Sequence, residues 1–284
     1  MDPTRIAFAE QGSGSPLVLL HGLGDRRQSW ASVTDLLAEH HRVISVDLPG
    51  FGATPAPAQD EPYDVLTMAD DIQGFCELHG LDRPHLAGNS LGGSIALELG
   101  VRGVTASVTV FSPAGFSGDL ARFGLRTVGA LSRLATHVPM PVKERLADTA
   151  PARAVARIAL RGDPSSPSAK ATRFSVRGLR KGSPYIRLVP LIAEYEFTAR
   201  PIECPVTIAW GDRDRTLLPS SALQAHRRVP NARMVSLIGS GHIPMADDPV
   251  TVVEHIRWTC RAAELGSAKV AERNAAGGAG ETNS

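Results

Sequence analysis

Ser90 is the residue whose setting most clearly predicts chemistry. It lies in Gly88-Asn89-Ser90-Leu91-Gly92-Gly93, between an apolar run of strand length and a helix-forming run at 95–99. A serine in Gly-x-Ser-x-Gly at a strand-to-helix corner sits on a sharp, strained turn, and only small residues fit at the flanking positions Gly88 and Gly92. The turn exposes the hydroxyl, and the helix that begins behind it favours developing negative charge. The pattern therefore predicts a nucleophilic serine.

A serine hydroxyl is a poor nucleophile at neutral pH unless a base accepts its proton and an acid orients that base. In an open α/β sheet such partners lie on loops at the carboxyl ends of strands. His242 lies in such a loop, Gly239-Ser240-Gly241-His242-Ile243-Pro244, and is the expected base. Asp212 and Asp214 lie in the preceding post-strand loop, and their positions alone leave both open as the orienting acid.

A second glycine-rich turn follows the first buried strand. It reads His21-Gly22-Leu23-Gly24 and can expose the backbone N–H of Leu23. Together with the N–H of Leu91, directly after the serine, that donor would form an oxyanion hole. We expect the imidazole of His21 to have a structural role and not to act as a second base.

These residues require a sheet whose carboxyl ends meet at one edge. Apolar runs of strand length predict strands that are buried on both faces, and helical patterns alternate with them. Repeated βα units imply an α/β fold with a mostly parallel, doubly wound sheet and helices on both faces. The predicted strands are 5–10, 17–20, 42–46, 84–87, 107–111, 206–210 and 234–238, and the predicted helices of the core include 30–40, 64–79, 220–228 and 249–263.

The alternation is interrupted in the middle of the chain. Between 115 and 200 the strand signal disappears, and helical stretches are broken by prolines. We therefore expect a core in two halves, 1–114 and 201–265, separated by a helical insertion at 115–200. Residues 266–284 are rich in Ala, Gly, Ser, Thr and Asn and are expected to form a disordered tail.

Composition restricts the class of protein. The 284 residues are 43% hydrophobic and carry a net charge of +1, which permits a sizeable core and gives no indication of nucleic acid as a partner. Cys76, Cys204 and Cys260 form neither a disulfide framework nor a metal pattern, so we expect a reducing, cytoplasmic location. The sequence predicts no signal peptide, no stable membrane anchoring and, for self-association, a weak homo-oligomer at most.

The chain resembles the α/β-hydrolase superfamily. The matching segments occur in the family's order and extend over residues 4 to 260, which is nearly all of the expected structured part. They are His21-Gly22-Leu23-Gly24, Asp47-Leu48-Pro49-Gly50-Phe51-Gly52, Gly88-Asn89-Ser90-Leu91-Gly92-Gly93, Gly211-Asp212-Arg213-Asp214 and Gly241-His242-Ile243-Pro244.

The resemblance implies a triad of Ser90, His242 and Asp214. The family's acid is the last residue of Gly-x-x-Asp, which favours Asp214 over Asp212. The resemblance also implies that the insertion is a helical lid, and the acyl transfer expected of such a site requires no metal or organic cofactor. We expect Asp47 to shape its own loop.

Serine as the nucleophile argues against the dehalogenase and epoxide-hydrolase branches, which the resemblance associates with aspartate. The leading expectation is a lidded serine esterase that cleaves a small to medium apolar carboxylic ester through an acyl-enzyme on Ser90. A carbon–carbon bond hydrolase of a ring-fission vinylogous diketone is an alternative, although Ile243 stands where such hydrolases often have tryptophan. A slow or non-catalytic small-molecule receptor on the same fold also stays open.

The insertion carries an excess of positive charge. Residues 119–200 hold 15 Lys or Arg and 6 Asp or Glu. A basic lid could attract acyl-CoA, an anionic lipid surface or a carboxylate-bearing ester, or the arginines could form solvated helix faces. Apolar residues of the same block could line an acyl pocket or pack the lid: Leu125, Val128, Leu131, Leu134, Leu188, Val189, Leu191 and Ile192.

Overall fold

The structure is a computed structural model that describes residues 1–151, 154 and 182–278, with side chains at all of these except 119–121, 124, 125, 128 and 267–278. Within this part of the chain, seven strands form one sheet in the order β1-β3-β2-β4-β5-β6-β7. β1 pairs antiparallel with β3, and all other neighbours are parallel. The strands are β1 (Phe8–Gln11), β2 (Ser15–Leu20), β3 (His41–Val46), β4 (His85–Asn89), β5 (Ser107–Phe111), β6 (Val206–Gly211) and β7 (Arg233–Leu237).

The predicted α/β fold is confirmed. Helices connect the parallel strands, and three further helices belong to the described part of the expected insertion. The core helices are α1 (Ala31–Ala38), α2 (Val65–Leu78), α3 (Leu91–Val101), α7 (Ser221–Arg228), α8 (Pro244–Asp247) and α9 (Pro249–Gly278), and those of the insertion are α4 (Asp119–Ala135), α5 (Met140–Ala147) and α6 (Pro184–Glu194).

The central strands are apolar on both faces because helices cover both faces of the sheet. In β2, Val18 and Leu20 join a core that includes side chains of α2 and α3. Leu17 and Leu19 point to the opposite face and join a core that includes side chains of α1 and α9. A continuous apolar run is thus the expected pattern for a central strand with two cores.

Two helices of the insertion pack closely against each other. α4 packs against α6, and a Cβ at Gly129 would lie only 2.9 Å from Val189 Cγ1. The absence of a side chain at Gly129 therefore lets the two helices approach. Residues 152–153 and 155–181 of the insertion lie outside the described residues.

The carboxyl-terminal segment differs from its expected structure. α9 continues to Gly278, past residue 266, where the sequence analysis places the start of a disordered tail, and residues 279–284 of that tail lie outside the described residues. Alanine, glutamate, lysine and arginine are strong helix formers, and they are frequent enough in this segment to extend the helix despite its small polar residues.

No helix among the described residues is long and apolar enough to cross a membrane.

Candidate active site

Ser90 occupies the sharp turn between β4 and α3. Its φ of 52° and ψ of −114° lie in a region that non-glycine residues rarely adopt. The turn is tight because a Cβ at Gly88 would collide with the backbone of Gly92, and one at Gly92 would collide with the backbone of Leu20. The close approach expected from the two glycines is therefore present, and the Ser90 side chain stays partly exposed.

The glycine-rich turn at residues 21–24, which carries the expected oxyanion donor Leu23, lies beside Ser90. A Cβ at Gly22 would be 3.4 Å from Ser90 Cβ and 3.2 Å from Asn89 Oδ1. Within the described chain, the N–H groups of Leu23 and Leu91 have no hydrogen-bond acceptor. Both amides can therefore donate to a negatively charged oxygen that forms near Ser90.

His21 is fully buried beneath this turn. Its Nε2 accepts a hydrogen bond from the N–H of Leu48 at 3.0 Å, and its Nδ1 lies 2.8 Å from the carbonyl oxygen of Gly22. The imidazole is therefore neutral with its proton on Nδ1. Burial lowers the pKa of His21 to about 4. Both ring nitrogens are occupied by backbone contacts, which supports a structural role.

Asp214 and His242 meet across two post-strand loops. The Nδ1 of His242 donates to Asp214 Oδ2 at 2.8 Å, and the other carboxylate oxygen of Asp214 accepts from the N–H groups of Thr216 and Leu217 at 2.8 and 2.9 Å. Both side chains are buried. Because Nδ1 is held by the carboxylate, Nε2 is the nitrogen that is left to accept a proton.

Asp212 has a different position. It is exposed, and its Oδ1 accepts from the N–H of Gly239 at 2.7 Å. It therefore connects the two loops by a backbone contact, whereas Asp214 contacts the imidazole. Gly211 permits this approach, since a Cβ there would lie 2.5 Å from the carbonyl oxygen of Ser240.

Asn89 is a site residue that sequence reasoning did not assign. Its Nδ2 donates to the carbonyl oxygen of His242 at 2.9 Å and to that of Phe111 at 3.1 Å. The residue before the serine thus fastens the histidine loop to the turn at Ser90. The only signal that the sequence offers for this role is a polar residue, Asn89, at the end of an otherwise apolar run of strand length.

Asp47 shapes the loop next to β3. Its carboxylate accepts from the N–H of Arg27 at 2.7 Å and of Ala53 at 2.9 Å, and it forms an ion pair with the Arg27 side chain. Asp25, which directly follows the turn at residues 21–24, is also largely buried, and burial raises its pKa to about 6. The carboxylates of Asp47 and Asp25 accept hydrogen bonds from backbone N–H groups and are not directed at the imidazole of His242.

The apolar residues of the insertion divide into two groups. Leu188, Val189 and Ile192 of α6 are buried: Leu188 and Ile192 join the apolar core, and Val189 lies against Gly129 of α4. Leu131, Leu134 and Leu191 are exposed, with 60%, 66% and 44% of their surface accessible. The side chains of Leu125 and Val128 are not among those that the structure describes.

Two cavities lie away from this site. One of about 480 Å³ is lined by residues such as Leu81, Arg83 and Val104 at the amino ends of β4 and β5. The other, of about 210 Å³, is lined by His40, His41, Arg257, Arg261 and Glu264. Among the described residues, no group of three or more His, Cys, Asp or Glu side chains is placed to hold a metal ion.

Relatives of known sequence match either most of the chain or a part of it. An uncharacterized protein of Mycobacterium tuberculosis is 26% identical over 281 residues, covering 93% of this chain and 81% of that protein. The 2-hydroxy-6-oxo-2,4-heptadienoate hydrolase of Pseudomonas putida is 38% identical over 94 residues, which are 32% of this chain and 34% of the hydrolase.

Solved structures share the whole architecture. A membrane phospholipase A, described as a bacterial virulence factor, superposes with a TM-score of 0.72 at 26% identity, covering 91% of this chain and 83% of that one. An esterase from Thermogutta terrifontis superposes with a TM-score of 0.67 at 22% identity, covering 91% and 93%, and shows the fold alone. The model of the alpha/beta hydrolase family matches residues 17–255, from β2 into α9 and including every loop of the site, and the chain belongs to that family.

Proposed function

We propose that the protein is a serine hydrolase that cleaves a small to medium apolar carboxylic ester through an acyl-enzyme on Ser90. The observation that carries the proposal is the buried pair of His242 and Asp214, 2.8 Å apart, together with the bond by which Asn89 fastens the His242 loop to the strained turn at Ser90. A nucleophile, a base and an orienting acid are the parts that acyl transfer to serine requires.

The reaction follows from these positions. The Nε2 of His242 accepts the Ser90 proton as Oγ attacks the ester carbonyl, and the N–H groups of Leu23 and Leu91 stabilise the oxyanion. His242 then donates that proton to the leaving alcohol, and the acyl group stays on Ser90. A water molecule, deprotonated by His242, attacks the acyl carbonyl, and the proton returns to Ser90 as the acid leaves. Asp214 holds the imidazole in the productive tautomer throughout.

The relatives support hydrolysis, and the type of bond that they hydrolyse differs from one relative to another. The likeness to a membrane phospholipase A, at 26% identity, agrees with an ester substrate. The local likeness to a 2-hydroxy-6-oxo-2,4-heptadienoate hydrolase makes carbon–carbon cleavage the second candidate. It covers only about a third of either chain, and Ile243 stands at the position after the histidine.

The test is a titration with an organophosphonate ester, read by intact mass and peptide mapping. It runs beside a chain-length series of p-nitrophenyl esters and a vinylogous 1,5-diketone acid. We expect one adduct on Ser90, rapid turnover of one range of ester lengths, and neither result in Ser90→Ala. Turnover of the diketone alone would transfer the assignment to the second candidate. An adduct without any turnover would favour a receptor, and the absence of an adduct would overturn the proposal.

A further inference from the structure

The smaller of the two cavities lies at the edge of the sheet opposite the candidate active site. Ser15 and His41, the first residues of β2 and β3, are paired in register, and His85 is the first residue of β4. In parallel strands these positions share the amino-terminal edge, whereas Ser90 and His242 follow the carboxyl ends of their strands. The cavity, of about 210 Å³, is therefore a separate site, and its charged lining has no part in the proposed reaction.

A chain of hydrogen bonds fixes the proton of His41, which lines this cavity and is 5% exposed. The hydroxyl of Ser15 donates to Glu264 Oε1 at 3.1 Å, and the same Oγ lies 3.0 Å from His41 Nδ1. Because a hydroxyl has one proton to donate, Nδ1 must be the donor to Oγ. In neutral His41, Nε2 therefore carries the lone pair, and it has no hydrogen-bond partner among the described residues. Protonation turns Nε2 into a second donor.

Positive charge exceeds negative charge along this cavity. Arg257 and Arg261 are four residues apart in α9, so their side chains lie on the same face of the helix. Neither guanidinium makes a hydrogen bond or an ion pair with any residue that the structure describes. Of the described residues that line the cavity, only Glu264 is a carboxylate, and its Oε1 is held by Ser15 and lies 3.7 Å from His85 Nε2. Two guanidinium groups are thus left to bind an anion.

The surroundings of His41 oppose its protonation. Burial is the main cause that lowers its pKa; the carboxylate of Glu264 raises the pKa, and the positive charges of His40 and Arg257 lower it further. His85, whose pKa is also lowered by burial, meets the His41 ring edge to face with 5.8 Å between ring centres. The other titratable groups of this cluster are Glu39, 3.9 Å from His40, the exposed Arg261, and Cys260, which stays neutral because burial raises its pKa to about 12. An added negative charge raises the pKa of His41, so anion binding and proton uptake favour each other.

We propose that the smaller cavity binds a small tetrahedral oxyanion, either phosphate or the phosphate group of a monoester. Arg257 and Arg261 donate to its oxygens, and His41 takes up a proton and donates from Nε2. Guanidinium groups match the oxygens of such anions in a bidentate way. The volume suits a group of this size, because pockets for drug-sized ligands measure about 300–1,000 Å³.

The bound anion ties α9 to the junction of α1 and β3, where His40 and His41 lie. A ligand that binds only the folded state stabilises the protein increasingly as its concentration rises. The site goes beyond the proposed hydrolase function and does not depend on it, so its tests need no turnover.

Sulfate is the first probe, because it is tetrahedral and stays doubly charged between about pH 6 and about pH 8, so that any pH dependence belongs to the protein. Isothermal titration calorimetry, at an ionic strength held constant with sodium chloride, should show one saturable site. The affinity should rise about threefold or more from about pH 8 to about pH 6, with uptake of protons from the buffer. The absence of saturable binding of both sulfate and phosphate would overturn the proposal.

Variants test the three donors. Arg257→Gln and Arg261→Gln should each weaken sulfate binding about fivefold or more, because each removes a charged donor. Arg227→Gln, at an exposed position of α7, is the matched control and should change the affinity by less than about twofold. His41→Asn keeps an amide N–H for Ser15 but cannot take up a proton, so it should still bind sulfate and lose the pH dependence.

Two results with these variants would contradict the proposal. Unchanged affinity in both Arg257→Gln and Arg261→Gln would assign the binding to an adventitious site elsewhere and overturn the proposal. Unchanged pH dependence in His41→Asn would overturn the part that His41 has in it.

A further readout locates the anion without any variant. In NMR spectra, sulfate should shift the ring resonances of His41 and the guanidinium Nε–H resonances of Arg257 and Arg261, and it should raise the pKa at which His41 titrates. Shifts confined to the amides of Leu23 and Leu91 would place the anion at the opposite edge of the sheet and overturn the proposal. Glycerol phosphate and inorganic phosphate, compared in the same way, decide the source of the oxyanion, since the tighter ligand of the two is the form that the site takes.

Discussion

Ser90 shows how one residue can carry backbone strain that serves a site. Its positive φ is stabilised by hydrogen bonds on both sides of the turn, from the Ser90 N–H to the Phe111 carbonyl at 2.9 Å and from the Ser94 N–H to the Ser90 carbonyl at 3.1 Å. Strain of this kind costs about 1–3 kcal/mol and persists only where surrounding contacts enforce it. Here β5 and α3 supply those contacts, and the hydroxyl stays accessible.

The two aspartates of the loop after β6 provide a direct test of the acid. Asp214→Asn should lower kcat about 10⁴-fold, because an amide there favours the wrong tautomer of His242. Asp212→Asn is the matched control and should change kcat less than about threefold, since it keeps an oxygen acceptor for Gly239. Steady-state kinetics on the best ester would measure both. Equal losses in the two variants would contradict the assignment of Asp214.

His21 predicts a loss of stability in acid. Its pKa is lowered to about 4 in the folded protein, whereas the pKa of a histidine in an unfolded chain is about 6.5. Between these values the unfolded chain binds the proton and the folded protein does not, so stability falls as pH decreases from about 6.5 towards 4. The expected contribution is about 2 kcal/mol between pH 7 and pH 5.

This pH dependence can be measured in two ways. The His21 ring resonances should titrate near pH 4 in NMR spectra, and the free energy of unfolding in denaturant should have a smaller slope between pH 7 and 5 in His21→Gln. His226→Gln, at an exposed helix position, is the control and should keep the slope of the unmodified protein. A His21 that titrates near its ordinary value would refute the neutral, backbone-bonded imidazole.

At the scale of elements, the insertion is tied to α3 by a buried carboxylate. Glu98 of α3 is 2% exposed, and it accepts from the hydroxyl of Tyr195 at 2.7 Å and from Arg200 at 2.5 Å. Both partners follow α6, where the chain returns to the core. The return segment is also held by Arg228, which donates to the carbonyl oxygens of Gly115 and Phe197 at 3.0 and 2.9 Å.

Loss of the Arg200 contact should weaken this connection. Arg200→Gln leaves the charge of Glu98 buried without its cationic partner, and we expect the free energy of unfolding to fall by about 1–2 kcal/mol, since Arg200 is partly exposed and solvent screens the pair. Arg227→Gln, at an exposed position of α7, should change it by less than about 0.5 kcal/mol. Equal stability of the two variants in urea titrations would show that the ion pair contributes nothing.

At the scale of the molecule, charge is distributed unevenly. The 15 basic residues at 119–200 compare with 30 in the whole chain, whose net charge is only +1. Several described arginines of this region have carboxylate partners: Arg126 pairs with Glu194, Arg122 with Glu196 and Arg200 with Glu98. Pairing of this kind favours solvated, structural roles over recognition of an anionic substrate.

The interpretation that the basic residues of the insertion are structural can be tested with three arginines that lie outside the described residues. We expect Arg173→Gln, Arg177→Gln and Arg180→Gln, combined in one protein, to leave KM for a carboxylate-bearing ester within about twofold, with no salt dependence. A neutral ester of the same length is the control. A rise in KM for the anionic ester alone, abolished by salt at several times the physiological ionic strength, would show instead that the insertion steers anions electrostatically.

The sequence by itself determined the sheet and the loops that carry chemistry. The five central strands, β2 to β6, were predictable because a strand buried on both faces must be apolar throughout and leaves a local signal. β1 is exposed along its length, and its predicted range 5–10 overlaps the observed strand only at 8–10. The turn at Ser90 was predictable from its own segment, since the short spacing of Gly88, Ser90 and Gly92 between a strand and a helix is a local pattern. The contact that requires Gly92, with the backbone of Leu20 in β2, appears only in the tertiary structure. The one-turn helix α8 and the length of α9 were not, because neither has a distinctive local pattern.

Only the tertiary structure decided which side chains meet. The contact of Asp214 rather than Asp212 with His242, the bond from Asn89 to the His242 carbonyl, and the ring of Tyr185 on Gly24 all join residues distant in sequence. Periodicity reports the environment of a residue on its own element and not its partner across a loop, and Asp214 was favoured in advance only through the family resemblance. Those partners depend on how the carboxyl ends of the strands and the insertion pack together in three dimensions.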